Sequence, residues 1–107
     1  MAELTVQSAN INGIAPTFAN ADASGDTFTN YGNSLLHVDN QDAADKQVTI
    51  ASNPCNFGEV HNLVISVPAG ETRIIGKFNR QRFNDDAMKV NISYDDVTSL
   101  SVAVIKY

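Results

Sequence analysis

Apolar and polar residues alternate with a period of two along most of this chain, the pattern of strands that bury one face. In residues 46–52, Val48 and Ile50 alternate with Gln47 and Thr49. In residues 61–67 the inward set is Leu63, Ile65 and Val67. Met88, Val90, Ile92 and Tyr94 alternate with Lys89, Asn91 and Ser93, and Leu100, Val102 and Val104 with Ser99, Ser101 and Ala103. Residues 4–7, 35–39 and 72–78 supply three further strands, and a shorter one at 27–29 precedes the Tyr31-Gly32-Asn33 turn. About eight short, evenly spaced strands predict an all-β fold, an antiparallel β-sandwich of jelly-roll-like build. No run combines helical periodicity with caps, and residues 42–45 offer at most one helical turn.

Turn chemistry separates these strands. Residues 23–26, 39–45, 53–58 and 68–71 gather Pro, Gly, Asn and Asp, which preset φ, accept positive φ or bond their own backbone. Residues 67–72 read as a tight hairpin between two strands. Residues 8–23 differ: they are rich in Ala, Asn and Gly, and Ile11, Ile14 and Phe18 are spaced too irregularly for a strand. Two readings stay open for this segment, a long loop covering one end of the sandwich or an extended arm that docks its apolar residues on a neighbour.

The same alternation leaves Leu35, Val64, Ile75 and Ile105 on the solvent side, where a monomer carries polar residues. Either a neighbouring loop covers them or they belong to a protein interface. Phe57, Phe78 and Phe83 fall in loops or at strand ends and are candidate anchors for such contacts. The candidate interface set is therefore Ile11, Ile14, Phe18, Leu35, Val64, Ile75, Phe57 and Phe83.

A length of 107 residues fits one domain, residues 1–107, with 8–23 as its arm or loop. The formal net charge of −5 repels phosphate backbones, so no nucleic-acid partner is expected. The basic cluster Lys77, Arg80 and Arg82 is followed directly by Asp85 and Asp86, a mixed patch and no groove for DNA. A single cysteine excludes an internal disulfide and suits a reducing compartment. Residues 1–7 contain no Lys or Arg and no long apolar stretch, so no signal peptide is expected. No apolar run reaches the length of a membrane span, so no membrane partner is expected either. Synthesis in a cytoplasm follows from these readings.

Chemistry finds few footholds. Cys55 and His61 are close in sequence, yet no third group or glycine-rich elbow completes a nucleophile site, and an inert cysteine is the simpler reading. One Cys with two His, His37 and His61, falls short of a zinc set. Asp39, Asp42 and Asp45, then Asn84, Asp85 and Asp86, then Asp95 and Asp96 cluster in loops, but none has the spacing of an EF-hand. Whether those loops bind a cation stays open. No P-loop, dinucleotide fingerprint or G-x-S-x-G motif is present. The expectation is a protein without catalytic residues, cofactor or metal site.

One ordered set of motifs carries a resemblance. Gly25-Asp26-Thr27-Phe28 is followed by Asn30, Gly32, Leu36, Val38 and Asn40, then Val48-Thr49-Ile50 and Cys55-x-x-Gly58-x-x-His61-Asn62. Val67-Pro68-Ala69-Gly70-Glu71-Thr72, Ile75-Gly76-x-Phe78, Phe83-Asn84 and Val90-x-Ile92-Ser93-Tyr94 complete it. In order and spacing, residues 25–105 resemble the small β-sandwich head decoration, or cement, proteins of tailed bacteriophages. The resemblance implies a non-enzymatic virion protein on the capsid exterior, with the major capsid protein as partner and self-association, a trimer being favoured. It carries over no catalytic residue. A neck or tail accessory subunit is the alternative within the same class. A carbohydrate-binding β-sandwich is the alternative outside it, and would require Tyr31, Tyr94 and Tyr107 to share one open face.

Overall fold

A computed structural model describes residues 2–54, 58 and 62–107. Ten strands and one short helix follow in the order β1 (Ala2–Glu3), β2 (Val6–Ser8), β3 (Ala19–Asn20), β4 (Asp26–Thr29), β5 (Ser34–Asn40), β6 (Lys46–Ile50), β7 (Leu63–Val67), β8 (Thr72–Ile75), α1 (Arg80–Phe83), β9 (Lys89–Tyr94) and β10 (Leu100–Lys106). One sheet runs β1-β4-β9-β6-β7; the other runs β2-β10-β5-β8, with β3 also paired to β10. The protein is an all-β sandwich.

Alternation decides which residues fill it. Phe28, Val48, Ile50, Val67, Val90 and Ile92 from the first sheet meet Leu36, Val38, Leu100, Val102 and Val104 from the second, all nearly or fully buried. Phe78 stacks edge-on against Phe28 and Phe83, with ring centroids 5.5 and 5.6 Å apart, and closes one end of this core. Each fully buried side chain of this size contributes about 1.5–3 kcal/mol relative to exposure.

Several expectations are corrected. The ladders are not all antiparallel, because β1 pairs with β4, and β2 with β10, in parallel. The N-terminal segment therefore changes sheets between Glu3 and Val6 and closes that side of the sandwich. The turn at 68–71 is real, with the Glu71 N–H donating to the Pro68 carbonyl at 3.1 Å and Gly70 at φ 71. It is no hairpin, however: β7 and β8 lie in opposite sheets and the turn arches between them. Among the described residues the one helical turn is at Arg80–Phe83, not at 42–45; Asn79 caps it by accepting from the N–H groups of Gln81 and Arg82 at 2.8 and 3.1 Å. Met88 leaves the inward set because its φ of 63 places it in a turn, where its side chain is exposed.

Four connections, 21–25, 41–45, 68–71 and 95–99, cross between the sheets at one end of the sandwich. Segments 9–18, 30–33 and 76–88, with the described residues that follow β6 and precede β7, emerge at the other. Buried asparagines tie each end. Asn40 donates to the carbonyls of Ala44 and Val67 at 2.9 and 3.0 Å, and accepts from the Asp42 N–H. Asn30 donates to the Phe78 carbonyl and to Asn84 Oδ1, accepts from the Gly32 N–H, and receives the Asn84 amide on its own carbonyl.

Candidate protein-interaction surface

The two ends differ in charge. Asp22, Asp26, Asp39, Asp42, Asp45, Glu71, Asp95 and Asp96 belong to the crossing end, eight of the twelve carboxylates in the sequence. Lys46 is buried there between Asp42 and Asp96, its Nζ 2.6 Å from a carboxylate oxygen of each. The ammonium hydrogen bonds hold Asp96 down to about 2 and lower Asp42, and the two carboxylates raise Lys46 in return. Asp26 is fully buried and takes the Tyr94 hydroxyl on Oδ2 at 2.6 Å; burial first, then that bond, keeps the phenol protonated.

The opposite end carries Lys77, Arg80, Arg82, Lys89 and Lys106, with Asp85, Asp86 and Glu3, whose Oε1 lies 2.7 Å from Lys89 Nζ, as carboxylates among the described residues. Asp85 is turned inward on its own loop: the Asn91 amide and the N–H groups of Lys89 and Ala87 bond it and keep its pKa low. The molecule is an acidic head on a basic and apolar base.

The arm belongs to that base. It leaves β2 at the Ala9 N–H, which donates to the Lys106 carbonyl at 2.8 Å, and returns at Thr17. There the Gln7 side-chain amide donates to the Thr17 carbonyl at 2.9 Å and accepts from the Thr17 N–H at 2.8 Å, in the manner of a neighbouring strand. A turn closed by Gly13 N–H to the Asn10 carbonyl, at 3.0 Å, and by the Asn10 side chain on the Asn12 N–H forms the apex. Gly13 stands at φ 82, a conformation that favours glycine. Ile11 sits in this turn 99% exposed, with Phe18 also exposed and Ile14 half-buried. The uncharged segment 9–18 thus offers an isoleucine on a turn that its own hydrogen bonds hold.

The remaining candidates separate. Leu35 is half-buried on the outer face of β5, opposite Ile105 in the register and lying over Gly76. A Cβ at Gly76 would stand 2.9 Å from both Leu35 Cδ2 and the Ser34 carbonyl, so only glycine fits beneath it. Val64 is exposed on the other sheet. Ile75 and Phe83 are corrected: both are buried, Ile75 because β8 turns it toward Leu36 and Phe83 because α1 packs it on Phe78. Ile105 is buried likewise, and so is Phe78. Phe57, Cys55 and His61 lie outside the described residues.

Sequence reasoning named Tyr31 and Tyr107 only as part of a glycan platform and left them out of the interface set, although both are exposed beside the arm end, and it missed Ile74, exposed on β8. Tyr107 is fixed there by two bonds to Asn33, and Arg80 lies against Gly32 next to Tyr31. Position in a turn was the only signal for Tyr31. Tyr94 is at the acidic end, so the three tyrosines do not share a face. His37 faces outward between Ala103 and Ile74, where burial lowers its pKa. Among the described residues no three His, Cys, Asp or Glu side chains converge, and no helix is long and apolar enough to cross a membrane. No protein-family model, curated protein or solved structure matches this chain.

Proposed function

We propose that the protein is a structural, non-enzymatic component of a bacteriophage virion that binds the outer surface of the assembled capsid and stabilises it. The observation that carries this reading is the arm: ten uncharged residues, pinned at the base by Gln7 and Thr17, that hold Ile11 wholly in solvent. Burying such a side chain in a partner gains about 2 kcal/mol, and the pinned turn reduces the ordering cost of doing so. Polarity supports it as well. The apolar, basic base suits docking on the major capsid protein, and the acidic head suits exposure to solvent. The resemblance of the ordered motifs to head decoration proteins points the same way.

A protein that binds only the assembled shell shifts assembly by mass action. Many modest contacts on one particle then add up without any one being tight. Self-association, with a trimer favoured, would join arms of neighbouring copies over a junction of capsid subunits. This role needs neither nucleic acid nor a membrane.

Co-sedimentation with undecorated expanded capsids and with unexpanded precursor shells tests the reading. Saturable binding to expanded shells only is expected, lost in Ile11→Asp while the folded state is unchanged. Absence of binding to either shell overturns it and directs the search to neck and tail structures, with immobilised glycans next.

A further inference from the structure

The two lateral sides of the sandwich are finished differently. On one side the N-terminal segment passes from β1 to β2 and ties the sheets together. On the other side β7 and β8 are the last strands of their sheets, and among the described residues neither has a partner on its outer edge. Edge strands of soluble proteins are ordinarily protected by charge, proline or a bulge. The sequence of β7, Leu63-Val64-Ile65-Ser66-Val67, has none of these and is rich in β-branched residues.

Between these edges the gap of the sandwich opens as a cleft of about 380 Å³. Its floor is apolar, formed by Leu63, Ile65, Ile75, Phe78 and Phe83. Its rim carries Arg73, Lys77 and Arg82 and no carboxylate among the lining residues, in a protein of net charge −5. Arg82 rests over the Phe83 ring at 4.7 Å, and Arg73 reaches Glu71 at 3.1 Å. Arg73 and Ile75 line the cleft from β8, which ends at Ile75, and Lys77 lines it just past the strand, so a cation lies in sequence on each side of an apolar residue.

We infer that this edge is a strand-accepting site, which takes an extended segment of another protein bearing a carboxylate on each side of an apolar side chain. A strand laid beside β7 would continue the first sheet at a spacing of about 4.8 Å and send alternate side chains into the cleft. Its apolar residue would meet Ile75 and the floor, and its carboxylates Arg73 and Lys77. Charge decides the occupant. A second copy pairing β7 to β7 would press two cationic rims together, and the chain's own uncharged arm lies on the far side of the sandwich. The inference is independent of the capsid reading.

The test uses the whole protein and a labelled peptide, Thr-Glu-Thr-Val-Thr-Glu-Thr, whose symmetry serves either strand direction. Fluorescence anisotropy should show saturable binding, with slowed amide exchange at Leu63–Val67. Replacing both Glu by Lys in the peptide should weaken binding roughly tenfold, and Lys77→Glu, an exposed position, should reverse that preference. Full N-methylation of the peptide should abolish binding. No binding, or binding indifferent to charge and to N-methylation, overturns the inference. So does concentration-dependent dimerisation in sedimentation that protects the same amides, because a second copy would then be the occupant.

Discussion

Asn30 shows how much one polar side chain secures. It is fully buried; its side chain makes three bonds and its backbone carbonyl takes a fourth from the Asn84 amide, joining the turn after β4 to the loop carrying α1. Asn30→Ala leaves the Phe78 carbonyl and the Gly32 N–H without those partners, so urea denaturation should show a loss of about 2–3 kcal/mol. Lys46 sets a pH window instead. Asp96 and Asp42 have folded pKa values below the ordinary 3.8, so their contribution is complete above about pH 4 and fades as pH falls toward 2. Lys46 is raised above 10.5, so its contribution is complete below that value and is lost at higher pH. Thermal melts should therefore show a plateau at intermediate pH from this cluster, and Lys46→Met should make the acid limb shallower. An unchanged acid limb in that variant would show that the cluster does not shape it.

Elements were legible where a single phase of alternation was possible. β6 and β9 have polar residues at every second position, β10 sets Ser101 and Ala103 between Leu100, Val102 and Val104, and the inward sets of all three supply the observed core. β8 was ambiguous because Ile74 and Ile75 are adjacent, so either phase presents an isoleucine inward. The structure turns Ile75 in, 7% exposed, and leaves Ile74 62% exposed. Ile75→Ala should cost about 2–4 kcal/mol by chemical denaturation, and Ile74→Ala within about 0.5 kcal/mol; equal costs would contradict this phase. Turn residues at 68–71 announced a reversal but not its destination, since the same local conformation serves a hairpin or an arch. α1 spans four residues, too few for periodicity to register, and only the Asn79 cap marked it. Of the candidate surface, the arm was visible as a break in alternation, while its pinning by Gln7 was not, because a side chain imitating a strand leaves no pattern.

For the whole molecule, the separation of charge is a property of connectivity and invisible to composition. The acidic turns sit together because every crossing between sheets that carries them falls at one end. If the arm end docks, decorated capsids should migrate faster toward the anode than bare ones in native gel electrophoresis at low salt. Charge-neutralising substitutions at Asp39, Asp45 and Asp95 should remove that difference while leaving binding intact; loss of binding in them would place the contact at the acidic end instead.

The position of β10 has a consequence in time. It comes after all of its partners in chain order, yet it pairs with β2, β3 and β5 and is buried on both faces for much of its length. During translation its partners leave the ribosome early and wait, with their hydrogen-bonding edges open, for a segment still being made. The second sheet has no centre until β10 emerges, so this sandwich assembles in a single late event once that strand is available, and a nascent chain passes through the interval as a client for chaperones.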